Sequence, residues 1–460
     1  MTASAAADTA APVNPRSRVI VASLIGTSIE FYDFYVYATA AVLVFPTLFF
    51  PNENATAAQL SSFVTFALAF FARPIGSIIF GHFGDRNGRK VTLVASLLVM
   101  GIATFLIGCI PSFDTWGIAA PIALAILRFG QGIGLGGEWS GAALLAIENA
   151  PQNKRAVYGT FPQLGAPIGF IIANGLFLIL SLNMSPEAFA SWGWRIPFLL
   201  SAVLVAVGLY VRLKLVETPV YQKAVDRGER VRVPLGAVLK NSWAPLILGT
   251  FIMLATYVLF YFMTTFTLTY GTAPATVTEG AKVGLGYTRP AFLGLLLIGV
   301  AFFGILTPIA GILADRFGRK RTLIVTTIAI AIFGLTFQIW FGESETPASV
   351  TLFLIVGLAL MGLTFGPMGA LLPELFPTNT RYTGSAISYN VASILGASLA
   401  PTIALGLWSA DGNIFLVGLY LTIAAVITLI ALLLSKETRN ITLDGEEREV
   451  EVGSAGSLAP

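Results

Sequence analysis

About twelve long apolar runs, each near the length that crosses a bilayer, leave this chain few folds to choose from. They centre near residues 19–46, 57–80, 92–110, 119–140, 157–181, 196–214, 244–270, 291–313, 322–341, 350–371, 383–408 and 413–434. A helix needs about 20 mostly apolar residues to cross the hydrocarbon. The runs are long and do not alternate with polar residues, so they read as helices and not as barrel strands. Only 11% of the residues are charged, against about 25% in a water-soluble domain. Most of the chain therefore belongs in lipid.

The chain also repeats itself. Residues 81–90 read GHFGDRNGRK and residues 311–320 read GILADRFGRK, an offset of 230 in a chain of 460. Gly, Asp, Arg, Gly, Arg and Lys fall at the same six places in both. The spacing Glu148-x-x-Pro151-x-x-x-Arg155 recurs at Glu374, Pro377 and Arg381, and Glu217-Thr218 recurs as Glu437-Thr438. Three matched sites in the same order imply two six-helix bundles in tandem. The expected division is a disordered cytoplasmic tail over 1–16, a bundle over 17–214, a cytoplasmic inter-domain loop over 215–242, a second bundle over 243–435 and a cytoplasmic tail over 436–460.

Charge is sorted by side. With the N-terminus taken as cytoplasmic, the inside segments hold 22 of the 27 Lys and Arg residues. Arg195, Lys282 and Arg289 fall outside, and Arg73 and Arg128 fall within spans. The positive-inside rule then sets both termini in the cytoplasm. A net charge of +3 spread this way offers no nucleic-acid surface. Met1 to Pro15 has no cationic region ahead of an apolar core and does not read as a signal peptide. One cysteine, Cys109, and one histidine, His82, allow neither an internal disulfide nor a metal cluster. Gly130, Gly132, Gly134, Gly136 and Gly137 evoke a nucleotide loop, but no P-loop Lys-Ser/Thr follows. They read instead as a small-residue surface for close helix contact. No cofactor is expected.

Five ionisable residues lie deep in spans, all in the first half: Glu30, Asp33, Arg73, Arg128 and Glu138. A charge at mid-membrane costs at least about 2.5–3.5 kcal/mol, so such residues pair or serve function. Glu30 and Asp33 share a helix face. The depths of Asp33 and Arg128 in their spans suit a direct pair, which would either drive coupling or simply hold two spans together. Glu138 reads as an inner-gate residue or a second proton stop. Arg73, just before Pro74, either binds a substrate carboxylate or satisfies carbonyls freed by the proline. Gln163, Asn174, Tyr257, Tyr261, Tyr389 and Asn390 are polar side chains able to face a central pocket.

Asp85 and Asp315 are expected just ahead of helices, at the positive end of the dipole. Arg89 and Arg319 are then placed to reach Glu148 and Glu374, making a latch in each half. The plainer alternative is that these charged turns only anchor topology.

The blocks GTSIEFYDFYVY (26–37), FFARPIGSIIFGHFGDRNGRK (70–90), RFGQGIGLGGEWSGA (128–142) and RYTGSAISYNVAS (381–393) resemble the major facilitator superfamily. Within it, the details are similar to the metabolite:proton symporter family; Phe31 stands where that family carries Trp. The resemblance covers residues 17–440 and implies an all-α, twelve-helix fold with a central cavity. It implies charge networks of Arg89, Glu148, Arg155 and Glu217 in one half, and of Arg319, Glu374, Arg381 and Glu437 in the other. It also matches Arg128 to an Arg that pairs with a span-one Asp in proton-coupled members. The expected activity is proton symport of a small carboxylate-bearing metabolite, shikimate- or dicarboxylate-like, across the inner membrane by a monomer. Solute, protons and lipid are its partners. The alternatives are a symporter of zwitterions such as proline or glycine betaine, and, from other classes, a channel or a non-transporting receptor. None of these is an enzyme.

Overall fold

The computed structural model describes residues 16–441 apart from 53, 88, 137, 214–233, 276–283, 342–345 and 378–379. Among these, twelve long helical rods follow one another in the chain. The first six are α1 (Arg16–Leu43), α2 (Ala55–Asn87), α3 (Arg89–Cys109), α4 (Ala119–Leu135 and Glu138–Glu148), α5 (Arg155–Gln163 and Gly165–Asn183) and α6 (Arg195–Leu213). The second six begin with α7, which runs from Trp243–Tyr261 through a π turn to Thr267–Thr272. Then come α8 (Arg289–Phe317), α9 (Arg319–Leu335) and α10 (Pro347–Glu374). The last two are α11 (Arg381–Ala392, a π turn, then Ala400–Asp411) and α12 (Ile414–Leu434).

Eight rods among the described residues are long and apolar enough to cross a membrane, and Pro186–Gly193 with Arg195–Val211, bent by 43°, makes a ninth. The other three are shorter in apolar content for visible reasons. Glu30 and Asp33 interrupt α1, the apolar part of α3 is Val94–Cys109, and α9 opens on Arg319, Lys320 and Arg321. Large apolar side chains such as Ile78, Ile126, Val203, Ile305, Ile332 and Ile430 stand exposed on the outer surface. In water such a surface would be a liability; against acyl chains it is the expected face.

Local signals set the helix ends. Thr346 and Ser349 form a capping box at the start of α10, with Pro347 in the first turn. Gly318, at φ 103°, separates α8 from α9, a backbone state that excludes most side chains. The matched Gly88 lies outside the described residues.

Within the first half, α1 packs on α5, α2 on α4, and α3 on α4 and α6. Within the second, α7 packs on α11 and α12, α8 on α10, and α9 on α12. The halves meet where α5 lies against α8 and α10, and where α2 and α4 lie against α11. This is a pair of six-helix bundles. The end of the molecule at which α6 leaves for the inter-half segment is called the linker end below. Two of the segments outside the bundles carry structure of their own. The inter-domain segment holds a helix at Pro234–Asn241. Beyond α12, residues up to Ile441 bond to both halves (below), so the last segment is anchored where it begins.

Candidate functional site: central charges and an inter-half pocket

The five intramembrane ionisable residues are all buried: Glu30, Asp33, Arg73, Arg128 and Glu138. The expected Asp33–Arg128 pair is not made in this conformer. Arg128 Nε donates to the Phe66 carbonyl at 3.3 Å, and Nη1 donates to Gln131 Oε1. Its guanidinium lies 3.9 Å from the Tyr37 ring centroid and 4.4 Å from that of Phe34. Face-on rings attract a desolvated cation by roughly 0.5–2 kcal/mol each. A carbonyl, an amide and these rings thus draw the guanidinium away from the carboxylate. Asp33 Oδ1 and Oδ2 have no hydrogen-bond partner of good geometry, although Thr104 stands beside them.

Arg73 projects from α2 over Phe34, at 5.0 Å, and Phe70, at 5.3 Å. Glu30, Tyr257, Tyr261 and Tyr389 lie within its electrostatic reach, and its Nε makes no hydrogen bond. Three of those tyrosines, with Phe31, Tyr35 and Phe365, line a cavity of about 20 Å³ between the halves. A second cavity of about 10 Å³, farther from the linker end, is lined by Thr39, Asn174, Thr264 and Thr265 among others. Each has room for about one water and none for an organic solute. The centre is occluded.

The structure therefore brings Tyr257, Tyr261 and Tyr389 to one cavity and Asn174 to the next, with Arg73 in electrostatic reach of those tyrosines but not among the residues that line either cavity. Asn174 accepts from Thr39 at 2.7 Å. Gln163 instead bridges: it accepts from Trp139 Nε1 at 2.8 Å and donates to the Phe365 carbonyl at 2.9 Å. Asn390 spends its amide on Ser77 and the Gly136 carbonyl, 2.8 and 3.0 Å away, so it ties α11 to the first half. Trp139 and Tyr389 stack face to face across the interface, 3.9 Å apart and 6° from parallel. Sequence reasoning passed over Trp139, Gln131, Tyr35 and Thr264. Gln131 had one signal, a polar residue one turn from Arg128 in an apolar span.

At the linker end, Arg319 bonds both Glu374 carboxylate oxygens at 3.2 Å and pairs with Asp315 at 3.1 Å. Thr438 donates to Glu374 at 2.6 Å. Asp315 is not ahead of its own next helix as expected. It lies in the last turn of α8 and accepts from the backbone N–H groups of Ala156 and Val157, both at 3.0 Å, at the start of α5. The N-terminus of α9 is taken by Glu437, which accepts from the backbone of Arg319 and Lys320. The reason is geometric: a single Gly between α8 and α9 leaves Asp315 on the preceding helix. Arg155 donates to the Ile441 carbonyl at 2.5 Å, and Arg381 to the Phe376 carbonyl at 3.3 Å. Glu148 is exposed at the end of α4. The side chains of Asp85 and Arg89, and all of Glu217, lie outside the described residues, so the first-half network is not described. Among the described residues no cluster of three or more His, Cys, Asp or Glu could hold a metal ion.

Two pseudo-repeated six-helix bundles around a central, mainly aromatic pocket have the architecture of a membrane transporter. The family profile of the Major Facilitator Superfamily matches residues 23–401 and again 284–457, and the chain belongs to that superfamily. It is a transporter and not an enzyme. It is 59% identical over 433 residues to the inner membrane metabolite transport protein YhjE of Escherichia coli (strain K12), covering 94% of this chain and 97% of that one. It is 37% identical over 434 residues to the shikimate transporter of the same organism, covering 92% and 95%. The crystal structure of a D-xylose-proton symporter superposes with a TM-score of 0.70 over 93% of this chain and 99% of that one, at 19% identity. That likeness concerns the fold.

Proposed function

We propose that the chain is a proton-coupled symporter importing a small carboxylate-bearing metabolite across the inner membrane by alternating access. The observation that carries this reading is Asp33, fully buried in a membrane-spanning bundle, linked to Arg128 through Gln131, with neither carboxyl oxygen partnered. An ionised carboxylate left so would be far more costly than the neutral acid. Asp33 alternates between a proton and Arg128, and so couples proton entry to reorientation of the bundles. Arg73 is the ligand for the solute carboxylate, since it is a buried guanidinium with an unpartnered N–H in electrostatic reach of the tyrosines that line the cavity. Glu30 sits within reach of that Arg and relays or balances its charge. Glu138 serves the inner gate. The identity with YhjE and the shikimate transporter supports metabolite uptake and makes hydroxylated ring acids the first solutes to try.

The charge sorting supports cytoplasmic termini, which makes the linker end the cytoplasmic end. There Arg319, Glu374, Glu437 and Asp315 form the closed latch of the second half, and the family resemblance and the sequence repeat assign the matching role in the first half to Asp85, Arg89, Glu148, Arg155 and Glu217. One six-plus-six chain holds a complete pathway, so the monomer is the working unit.

The test is uptake of radiolabelled shikimate, then of dicarboxylates and betaines, into energised vesicles with and without a protonophore. Wild type accumulates its solute, and accumulation collapses with the protonophore. Asp33→Asn loses accumulation to background. Uptake that is unchanged in both comparisons overturns coupling through Asp33.

A further inference from the structure

Gln131 is the residue on which the central charges converge. It is completely buried one turn beyond Arg128 on α4. Its Oε1 accepts from Arg128 Nη1. Its Nε2 donates to the Asp33 backbone carbonyl at 3.2 Å and to Thr104 Oγ1 at 2.9 Å. Both donors of the amide and its oxygen are engaged. Around it stand three buried polar atoms that make no hydrogen bond: Asp33 Oδ1, Asp33 Oδ2 and Arg128 Nη2. A cation and a carboxyl group left apart in a dry interior are a costly arrangement, because pairing them would satisfy both. Gln131 is the side chain that keeps them apart, by offering Arg128 an oxygen while tethered to the main chain of Asp33 itself.

We propose that Gln131 is a positioning residue for the proton-coupled step, competing with Asp33 for the Arg128 guanidinium. This rests on the reading of Asp33 as the proton carrier. With Arg128 on Gln131, an Asp33 oxygen takes a proton from a hydronium ion on the entry side, forming an O–H bond and leaving water. When Arg128 returns to Asp33, the O–H bond breaks and the proton leaves on water at the exit side. Gln131 then keeps its bonds to Thr104 and the Asp33 carbonyl, ready to take Arg128 back. The ionisable groups in electrostatic reach of this pair are Tyr32 and Tyr37 from α1, Arg73 from α2 and Tyr261 from α7.

The experiment is infrared spectroscopy of the purified full chain in lipid at pH 7, reading the C=O stretch of a protonated carboxyl group. No solute is needed. Wild type shows a band that Asp33→Asn removes. Gln131→Met, which keeps side-chain length without the amide, returns Arg128 to Asp33, and the band falls about tenfold, as for a carboxylate gaining a close cation. Gln131→Leu, which removes the amide with a different shape, weakens the band in the same direction, and unchanged helical circular dichroism in both variants guards against one that does not fold. Removing the cation as well, in Gln131→Met with Arg128→Met, restores the band. A band that Asp33→Asn removes but that Gln131→Met and Gln131→Leu leave at full strength overturns the role of Gln131 alone. A wild type with no Asp33-dependent band overturns the proton-carrier reading and this one with it.

Discussion

Gly159 on α5 and Gly369 on α10 meet backbone to backbone between the halves. A Cβ built on Gly369 would stand 2.3 Å from the Gly159 carbonyl oxygen. Backbone cannot yield as a flexible side chain can, so Gly369→Val should hold the linker end open. The expected result is normal expression with uptake reduced about tenfold or more, and stronger labelling of a single cysteine placed on α5 at the linker end. Unchanged uptake would mean that the halves need not approach this closely in transport. Trp139 tells a similar story nearer the centre. Counting about 1.5 Å per residue, its stack with Tyr389 lies roughly 12–14 Å above the linker end. The stack thus floors the cavity that Tyr257 and Tyr261 line. Residue types made the charges visible in advance, because a charge in an apolar run has few reasons to exist. They could not show that Arg128 prefers a carbonyl, an amide and aromatic rings to Asp33, since Phe34, Tyr37 and Phe66 acquire that meaning only when folded around it.

Helix α5 begins with two N–H groups that its own chain leaves open, and a carboxylate from the other half fills them. Capping of this kind contributes about 1 kcal/mol. Asp315→Ala should therefore shift the closed-to-open balance at the linker end by about fivefold. Distance measurements by spin-label pairs across α5 and α8 read the shift, and an unaltered distance distribution would show that the cap is incidental. The repeat in the sequence foretold that the α8–α9 turn would carry a charge cluster. It misassigned which helix the aspartate serves, because sequence spacing locates a residue along one chain and not across an interface. The rods themselves were legible as apolar runs. The π turns at Phe262–Phe266 and Ser393–Ser398 were not, since both lie inside spans whose residue types do not mark a π turn.

At the scale of the whole molecule the two halves are alike in build and unlike in chemistry. The deep charges Glu30, Asp33, Arg73, Arg128 and Glu138 belong to the first, while the second presents mainly rings and hydroxyls across the interface. Reporter fusions should find both termini in the cytoplasm, with phosphatase silent and a cytoplasmic fluorescent reporter bright after residue 441; the opposite pattern would reverse the entry and exit sides assigned above. The sequence by itself determined the number of rods, their tandem pairing and the end of the molecule at which the cations gather. Apolar length and charge count are properties of a segment, and each segment meets the bilayer largely on its own terms. Only the tertiary structure decided which atoms partner which. That Gln131 holds Arg128, that Asp315 caps α5 and that the pocket is shut all depend on contacts between residues from different helices, often from different halves. Competition among several near-equal partners in a dry interior is settled by geometry of a few tenths of an ångström, which composition and spacing do not encode.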